Sequence, residues 1–133
     1  MNGRVLSRRG FSLLELMIVL TIIAILGAIA IPIYRTTVLH AKETVLRDNL
    51  RELRKVIDQY TADKKKAPQS LQDLVDAGYF RDLPLDPITN SSQTWQPVTD
   101  SSFSDADQTE AGIGDVHSGS NETSSEGTPY STW

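Results

Sequence analysis

The sequence predicts an α+β protein, in which a long N-terminal α-helix packs against a small C-terminal head with a short helix and a small antiparallel β-sheet. Three observations lead to this prediction. Residues 16–33 form an apolar run without a charged residue. Residues 34–65 contain neither Gly nor Pro and carry apolar side chains at helical spacing. The rest of the chain consists of short segments separated by Gly, Pro and Ser, which is typical of a small domain with short elements.

The apolar run has the length of a membrane-spanning helix. Its 18 residues are about the lower limit for a helix that crosses the ~30 Å hydrocarbon core of a bilayer. Arg4, Arg8 and Arg9 precede it, and basic residues that flank such a helix stay on the cytoplasmic side. We therefore expect a single-pass segment with a cytoplasmic N-terminus and with the chain after Ile33 outside the cytoplasm.

Glu15 is an acidic residue at the start of this run. Inside a bilayer an unpaired acidic side chain costs roughly 2.5–3.5 kcal/mol or more, so it needs a positive partner. Cleavage of the chain after Gly10 would create a new α-amine on Phe11, four residues from Glu15. In an assembly of identical helices, the carboxylate of one subunit could then pair with the amine of its neighbour.

Gly10, Phe11 and Glu15 together resemble the class III signal of type IV pilins and type II secretion pseudopilins. In that signal a Gly-Phe junction is followed by an apolar run with Glu at the fifth mature position. The resemblance implies that residues 1–10 are a leader, which a prepilin peptidase removes before it methylates the amine of Phe11. It also implies that residues 11–33 are the transmembrane and filament-core helix of a precursor in the bacterial inner membrane.

Two other interpretations of this region stay open. Residues 7–13 also resemble a twin-arginine export signal, and residues 28–30 read Ala-Ile-Ala, where signal peptidase could cut and release a soluble secreted domain. A signal of that kind gives Glu15 no role. The second alternative is a membrane anchor that is never cleaved.

Pro32 lies inside the predicted helix, close to Gly27. Proline removes a backbone donor and clashes with the preceding turn, so the helix should kink or open between Gly27 and Ile33. Pilin-like proteins carry Pro at this mature position, and the resemblance implies an open helix here in the assembled filament. A continuous, gently bent helix is the alternative for an isolated subunit.

Residues 34–66 are predicted to form an amphipathic stem helix. Apolar side chains recur along one helical face at Leu39, Leu46, Leu50, Leu53, Ile57 and Tyr60. We expect this stripe to be the surface on which the head packs, with Arg47, Arg51, Arg54 and Lys55 lying away from it. A two-stranded coiled coil is the alternative for such a helix.

Residues 67–133 are predicted to form the head. Ser70 and Asp73 have the spacing of a capping box for a second short helix at about residues 70–77, and Gly78 is a suitable C-terminal stop.

Two short strands are predicted after this helix, at residues 94–98 and 112–118, with a solvent-exposed acidic loop at residues 99–112. Tyr130 and Trp133 are expected to be buried and to fasten the C-terminal end.

A second resemblance lies in the head. Gly78-Tyr79, followed by Leu83-Pro84 and Asp86-Pro87, resembles the major pseudopilins, and residues 127–133 resemble the ends of members of that family. The chain has no cysteine. Many type IV pilins close a C-terminal loop with a disulfide, whereas major pseudopilins generally do not, so the composition favours a pseudopilin.

The resemblance also implies a calcium ion in the C-terminal loop, where Asp115, Ser118, Ser120 and Glu122 could supply oxygen ligands. The sequence departs from the family at this point. The usual Gly, one residue, Asp-Gly after the final strand is replaced by Gly-Ser-Asn-Glu at residues 119–122. A polar turn closed by its own hydrogen bonds is therefore the alternative to a calcium site.

The charges are unevenly distributed. Residues 35–66 hold nine Lys/Arg against five Asp/Glu, a net charge of +4, and residues 67–133 hold Arg81 against eleven acids, a net charge of −10. This distribution suits head-to-stem contacts between subunits, although two ordinary solvated surfaces explain it equally well. The acidic head disfavours nucleic acid as a partner. His40 and His117 are far apart in sequence, and we expect no enzyme active site.

The resemblance implies a structural subunit that polymerises with copies of itself into a helical filament of the type II secretion apparatus and drives protein export. Its other partners would be the inner membrane, prepilin peptidase, minor pseudopilins and the secretion assembly platform. A type IV or competence-type pilin is the alternative, since it shares the pattern of residues 8–33.

Overall fold

In the computed structural model, the residues described are 10–100 and 111–133. The chain divides into two units, the first ending at Thr37 and the second running from Val38 to Trp133. The elements are helix α1 (Leu13–Lys64), helix α2 (Gln72–Asp76), strand β1 (Gln96–Asp100), strand β2 (Gly112–His117) and a 3₁₀ turn (Tyr130–Thr132). This confirms the predicted α+β class with a long N-terminal helix, a short helix and a small antiparallel sheet.

The first unit consists mainly of the apolar part of helix α1. The helix contains a segment that is long and apolar enough to cross a membrane, with a mean hydropathy of 2.9 over 18 residues, none of them buried. It is helical without interruption through Gly27 and Pro32, as in the alternative stated for an isolated subunit. The break expected in the filament therefore stays a prediction.

In the second unit, the apolar stripe of α1 forms one side of the core. Five of its predicted members are buried, namely Leu46, Leu50, Leu53, Ile57 and Tyr60. They pack with Leu74 of α2, with Trp95, with Ile113 and Val116 of β2, and with Tyr130. Burying a side chain of this size contributes about 1.5–3 kcal/mol to the free energy of folding. The contacts between the stripe and these residues therefore hold the head on the stem helix.

Leu39 corrects the predicted stripe, because its side chain is 37% exposed. Glu43, one turn further along the helix, is hydrogen-bonded to Ser125 and Tyr130. The buried part of the stripe therefore begins with Glu43, and Leu39 lies outside the part of the helix that the head covers.

Helix α2 runs from Gln72 to Asp76 and is shorter than predicted, but the predicted start and stop signals are both present. The side chain of Asp73 accepts the backbone N–H of Ser70 at 3.0 Å, and the hydroxyl of Ser70 accepts the backbone N–H of Asp73 at 3.3 Å, which is the predicted reciprocal capping. Gly78 has a φ of 83° and donates its N–H to Val75. A left-handed residue here ends the helix, and glycine adopts that conformation without strain.

Strands β1 and β2 pair antiparallel, with an irregularity between Val98 and Thr99. Val98 pairs with Asp115 and Thr99 pairs with Ile113, so that Gly114 is the extra residue of a bulge.

Both predicted strand positions need correction. Strand β1 begins and ends two residues later than predicted, so residues 99 and 100 of the predicted loop belong to the strand. Trp95 precedes the strand, is buried and donates its indole N–H to the carbonyl of Pro84 at 2.8 Å. Strand β2 ends at His117, because Ser118 turns inward to Asp86. Of the predicted acidic loop, residues 101–110 lie outside the described residues.

Candidate functional site

The predicted cleavage junction lies just before helix α1. Gly10 and Phe11 precede the first helical residue, Leu13, and the Phe11 side chain is 83% exposed. A Cβ added to Gly10 would meet no described atom within 4 Å, so packing among the described residues does not require glycine here. Residues 1–9 of the predicted leader lie outside the described residues.

Glu15 lies in the first turn of α1, where its backbone N–H donates to the hydroxyl of Ser12 at 3.1 Å. Ser12 thus caps the helix, a role that the sequence prediction missed although the Ser-x-x-Glu pattern indicates it. The N-terminal end of a helix carries partial positive charge, which favours an acidic side chain in the first turn. The arrangement leaves the Glu15 side chain exposed and available to a partner.

The helical surface that follows Glu15 is apolar on every side. All the large apolar side chains of residues 16–33 are exposed, among them Ile18, Leu20 and Ile25 at 52–57%. The hydroxyl of Thr21 donates to the carbonyl of Met17 at 2.8 Å, so this polar group is satisfied inside the helix. Such a surface is suited to lipid or to the same helix of other copies, because both are apolar. Neither supplies water, so the polar groups of the helix must be satisfied within it.

Two of the four predicted calcium ligands, Asp115 and Ser118, bond to other parts of the protein. One carboxylate oxygen of Asp115 accepts from the Arg54 guanidinium at 2.6 Å and from the Val116 N–H at 2.7 Å. Burial raises the pKa of Asp115, but these bonds and the charge of Arg54 outweigh it and hold the pKa below its ordinary value. The Asp115 carboxylate therefore already has a cation beside it.

The two serines and Glu122 form a polar turn. The hydroxyl of Ser118 donates to Asp86 at 2.5 Å and accepts the Ser120 N–H at 3.2 Å, and the hydroxyl of Ser120 accepts the Glu122 N–H at 3.2 Å. No group of three or more acidic, His or Cys side chains suited to a metal ion occurs within residues 10–100 and 111–133. The arrangement of the four candidates does not fit a calcium site.

Asp86, the aspartate of the Asp-Pro pair in the second resemblance, has a structural role in the head. It is 0% exposed, and its carboxylate accepts the N–H of Ile88 at 2.8 Å, the N–H of Thr89 at 3.3 Å and the hydroxyl of Ser118. The first two bonds make an Asx turn, which holds the loop after α2, and the third ties that loop to the end of β2. Asp86 thus connects two segments of the head.

Arg54 was predicted to lie away from the packed surface, but it is partly buried and binds the head. Besides Asp115, its guanidinium donates to the carbonyls of Val116 at 2.9 Å and of Trp133 at 2.8 Å. Arg51 and Lys55 are exposed, as expected. Arg47 also departs from the prediction, because it pairs with Glu126 at 2.6 Å and lies over the ring of Trp133 at 4.3 Å.

The sequence prediction also missed Glu43, which is buried on the stem helix. The signal was present: Glu43 fills the gap of seven residues between Leu39 and Leu46. With Glu43 included, the spacings in the stripe alternate between four and three residues. Glu43 therefore lies on the same helical face as the apolar side chains.

Comparison with known proteins identifies relatives of this chain. Residues 6–31 match the family described as the prokaryotic N-terminal methylation motif. The type II secretion system core protein G of Pseudomonas aeruginosa is 31% identical over 110 residues, covering 71% of this chain and 78% of the relative. The chain belongs to the type II secretion system core protein G family. The core protein G of Klebsiella pneumoniae is likewise 31% identical, over 106 residues, covering 68% of this chain and 76% of the relative.

A pilin relative matches a smaller part of this core protein G family member. The type IV major fimbrial protein FimA of Dichelobacter nodosus is 39% identical over 62 residues, covering 47% of this chain and 39% of the relative. The search of solved structures gave no significant match. The predicted resemblance to the pseudopilins is therefore confirmed, and the methylation motif with the apolar helix fits a membrane-anchored precursor.

Proposed function

We propose that the chain is made as a precursor in the bacterial inner membrane, cut after Gly10 by prepilin peptidase and methylated on Phe11. Residues 11–33 then hold it in the membrane, with the N-terminus cytoplasmic and the head periplasmic. Copies of the mature chain polymerise into a helical filament of the type II secretion apparatus, together with minor pseudopilins and the assembly platform. The role is structural and not enzymatic: subunits added at the base push exported protein outward, with energy from a cytoplasmic ATPase.

The observation that carries this proposal is the apolar half of α1. Its side chains are exposed on every side from Leu16 to Ile33, and the acid Glu15 stands at its N-terminal end. A surface of this size needs a partner outside the chain. Lipid covers it in the precursor, and the same helices of neighbouring copies cover it in the filament.

Glu15 is the proposed determinant of register between subunits. Its carboxylate is exposed in the first helical turn, four residues from Phe11. Cleavage gives Phe11 a positive amine, and an apolar surrounding makes the pairing of the two charges strongly favourable. Each subunit would then offer one carboxylate and one amine to its neighbours.

The proposal is tested by the intact mass and N-terminal sequence of the protein extracted from membranes. A chain that starts at Phe11 with one added methyl group is the expected result. A soluble chain that starts at Ile31 would mean that the apolar run is only an export signal. The full-length precursor in membranes would indicate an anchor that is never cleaved.

We predict that Glu15→Leu leaves cleavage intact but reduces filament formation by about 100-fold, because the Phe11 amine is then left unpaired in an apolar environment, at a cost of roughly 2.5–3.5 kcal/mol. Filaments sheared from cells that overproduce the chain give the yield, and the mass of the membrane-bound protein reports cleavage.

Thr21→Val is the matched control for Glu15→Leu, because it lies in the same helix and removes a hydroxyl that is satisfied within that helix. It should assemble like the unaltered chain. Normal filaments from Glu15→Leu would remove Glu15 from the proposed role.

The match to a fimbrial protein over 62 residues supports a second candidate, a type IV or competence-type pilin. Deletion of the gene separates the two functions. Loss of protein secretion with motility and DNA uptake preserved favours the pseudopilus, and the opposite pattern favours the pilus.

A further inference from the structure

The Glu43 carboxylate joins the stem helix to the C-terminal segment, defined here as residues 118–133. One carboxylate oxygen accepts the backbone N–H of Ser125 at 2.7 Å and the phenol of Tyr130 at 2.8 Å. The other accepts the hydroxyl of Ser125 at 2.5 Å, and Nδ1 of His40 lies 3.5 Å from it. Only 5% of the Glu43 surface is exposed.

A carboxylate buried in this way is costly unless its oxygens are hydrogen-bonded. Burial raises the pKa of Glu43, but the bonds from the Ser125 hydroxyl, the Ser125 amide and Tyr130 outweigh burial and lower the pKa below its ordinary value. The same burial and the bond to Glu43 raise the pKa of Tyr130 to about 12. Both shifts in pKa favour a charged Glu43 carboxylate that accepts a hydrogen bond from a neutral Tyr130 phenol.

The C-terminal segment is folded so that it turns donors toward the stem. Ser124 and Thr128 close a turn around Gly127, whose φ is 84°. This turn directs the N–H and the hydroxyl of Ser125 at Glu43. A cation site in a loop requires the opposite polarity, because calcium gathers carboxylate, carbonyl and hydroxyl oxygens as acceptors.

Two acids in or near the segment, Asp115 and Glu126, are also held by cations of the protein itself. Arg54 binds Asp115 at 2.6 Å, and Arg47 binds Glu126 at 2.6 Å. The second pair is about half exposed on both sides, so it adds little by itself. Both arginines come from the stem helix, as Glu43 does, so one face of α1 supplies an anion and two cations to the head.

We propose that the Glu43 carboxylate, and not a calcium ion, fastens the C-terminal segment to the stem helix, so that the head is folded independently of calcium. The anion closes the loop by accepting hydrogen bonds from Ser125 and Tyr130. This inference goes beyond the proposed function, because it concerns the single subunit and holds whichever filament the chain builds.

The first test is the thermal unfolding of the full chain in detergent micelles, followed by the fluorescence of Trp95 and Trp133. The expected result is the same Tm in millimolar calcium chloride and in excess EDTA. A Tm that rises with calcium would overturn the proposal.

The second test compares Glu43→Gln with Glu52→Gln, an exposed acid on the same helix. Glu43→Gln keeps the size of the side chain but replaces an acceptor oxygen with a donor, so we expect a fall in Tm of about 5–15 °C. Glu52→Gln should leave Tm unchanged. Equal Tm values for the two variants would contradict the role of Glu43.

Ser125→Ala keeps the test decisive if Glu43→Gln fails to fold. Ser125 is exposed, so the substitution removes one donor without opening a cavity in the core. We expect a smaller fall in Tm than for Glu43→Gln, and the double variant should lose less than the two single losses together, because the two residues share one interaction. Strict additivity would show that they act separately.

Discussion

The two parts of helix α1 differ in whether the rest of the chain buries their apolar side chains. Up to Thr37 the apolar side chains surround the helix and are exposed. From Glu43 to Tyr60 they form a single stripe that α2, β2 and the C-terminal segment cover. A helix that is apolar all round needs an apolar environment, whereas a striped helix needs one covering layer. The second part therefore finds its partner inside the chain, and the first part requires one outside it.

Polar groups show the same contrast. In the first part they are satisfied locally, as with Thr21 and Met17 or Ser12 and Glu15. In the second part Glu43 reaches Ser125 and Arg54 reaches Asp115, contacts between residues 82 and 61 positions apart in sequence. The helical structure of the first part should therefore be insensitive to changes in the head, whereas the head depends on contacts across the whole chain after Thr37.

The largest expected difference is between Leu53→Ala and Leu20→Ala. Leu53 is 0% exposed and Leu20 is 57% exposed. Loss of the buried side chain should lower the free energy of unfolding of the head by about 2–5 kcal/mol, whereas Leu20→Ala should change it by less than about 0.5 kcal/mol. Urea unfolding in detergent, followed by tryptophan fluorescence, measures both, because both tryptophans belong to the second unit.

Similar losses for Leu53→Ala and Leu20→Ala would contradict the comparison. They would mean that the apolar part of α1 also contributes to the packing of the head. A filament defect in Leu20→Ala without any loss of head stability would instead sharpen the distinction between the two parts.

The sequence was sufficient to predict α1 because its signals are periodic or local. A run without charges, a stripe at helical spacing and a Gly-Phe junction with Glu15 each lie within one continuous stretch. The capping box of Ser70 and Asp73 and the stop at Gly78 are equally local, and the structure has both.

The strand boundaries and the contacts of Glu43, Arg54 and Asp86 depend on what lies opposite them in space. Strand propensity places Trp95 in a strand, but its indole is used to bind Pro84, so tertiary contacts override the local preference. The register of Glu43 with the stripe marks it as unusual, yet its partner Ser125 is 82 positions away. No local pattern predicts a pairing over that distance.

A smaller effect is expected from acid. The pKa values of Glu43 and Asp115 lie below their ordinary values of 4.5 and 3.8. A carboxyl of this kind contributes stability that is fully present above its pKa in the unfolded chain and is lost as the pH falls through its pKa in the folded chain. The stability of the head should therefore be constant from pH 7 to about 5 and should fall below about 4.5. Glu43 should dominate, because Asp115 is 44% exposed and solvent screens its ion pair.

Urea unfolding across this pH range measures the effect. Far-UV circular dichroism on the same samples should show that much of the helical signal persists when the tryptophan signal is lost, because the apolar part of α1 is in micelles. Glu43→Gln should make the free energy of unfolding fall less steeply with pH below pH 4.5, and Glu52→Gln is its control. Stability that is independent of pH would contradict the assignment of a charged, hydrogen-bonded Glu43.

The smallest effect is expected from Leu39→Ser, which tests where the cover of the stem ends. Leu39 continues the sequence stripe but is 37% exposed, whereas Leu46, two turns further on, is 0% exposed. The substitution should therefore cost the isolated subunit about 1 kcal/mol or less in urea unfolding, and Leu46→Ala, as the comparison, about 2–5 kcal/mol. Equal losses would mean that the head covers Leu39 after all and that the stripe predicted from the sequence was right at this end. A small loss in the subunit together with fewer filaments would place Leu39 with the apolar part of α1, among the side chains whose cover comes from outside the chain.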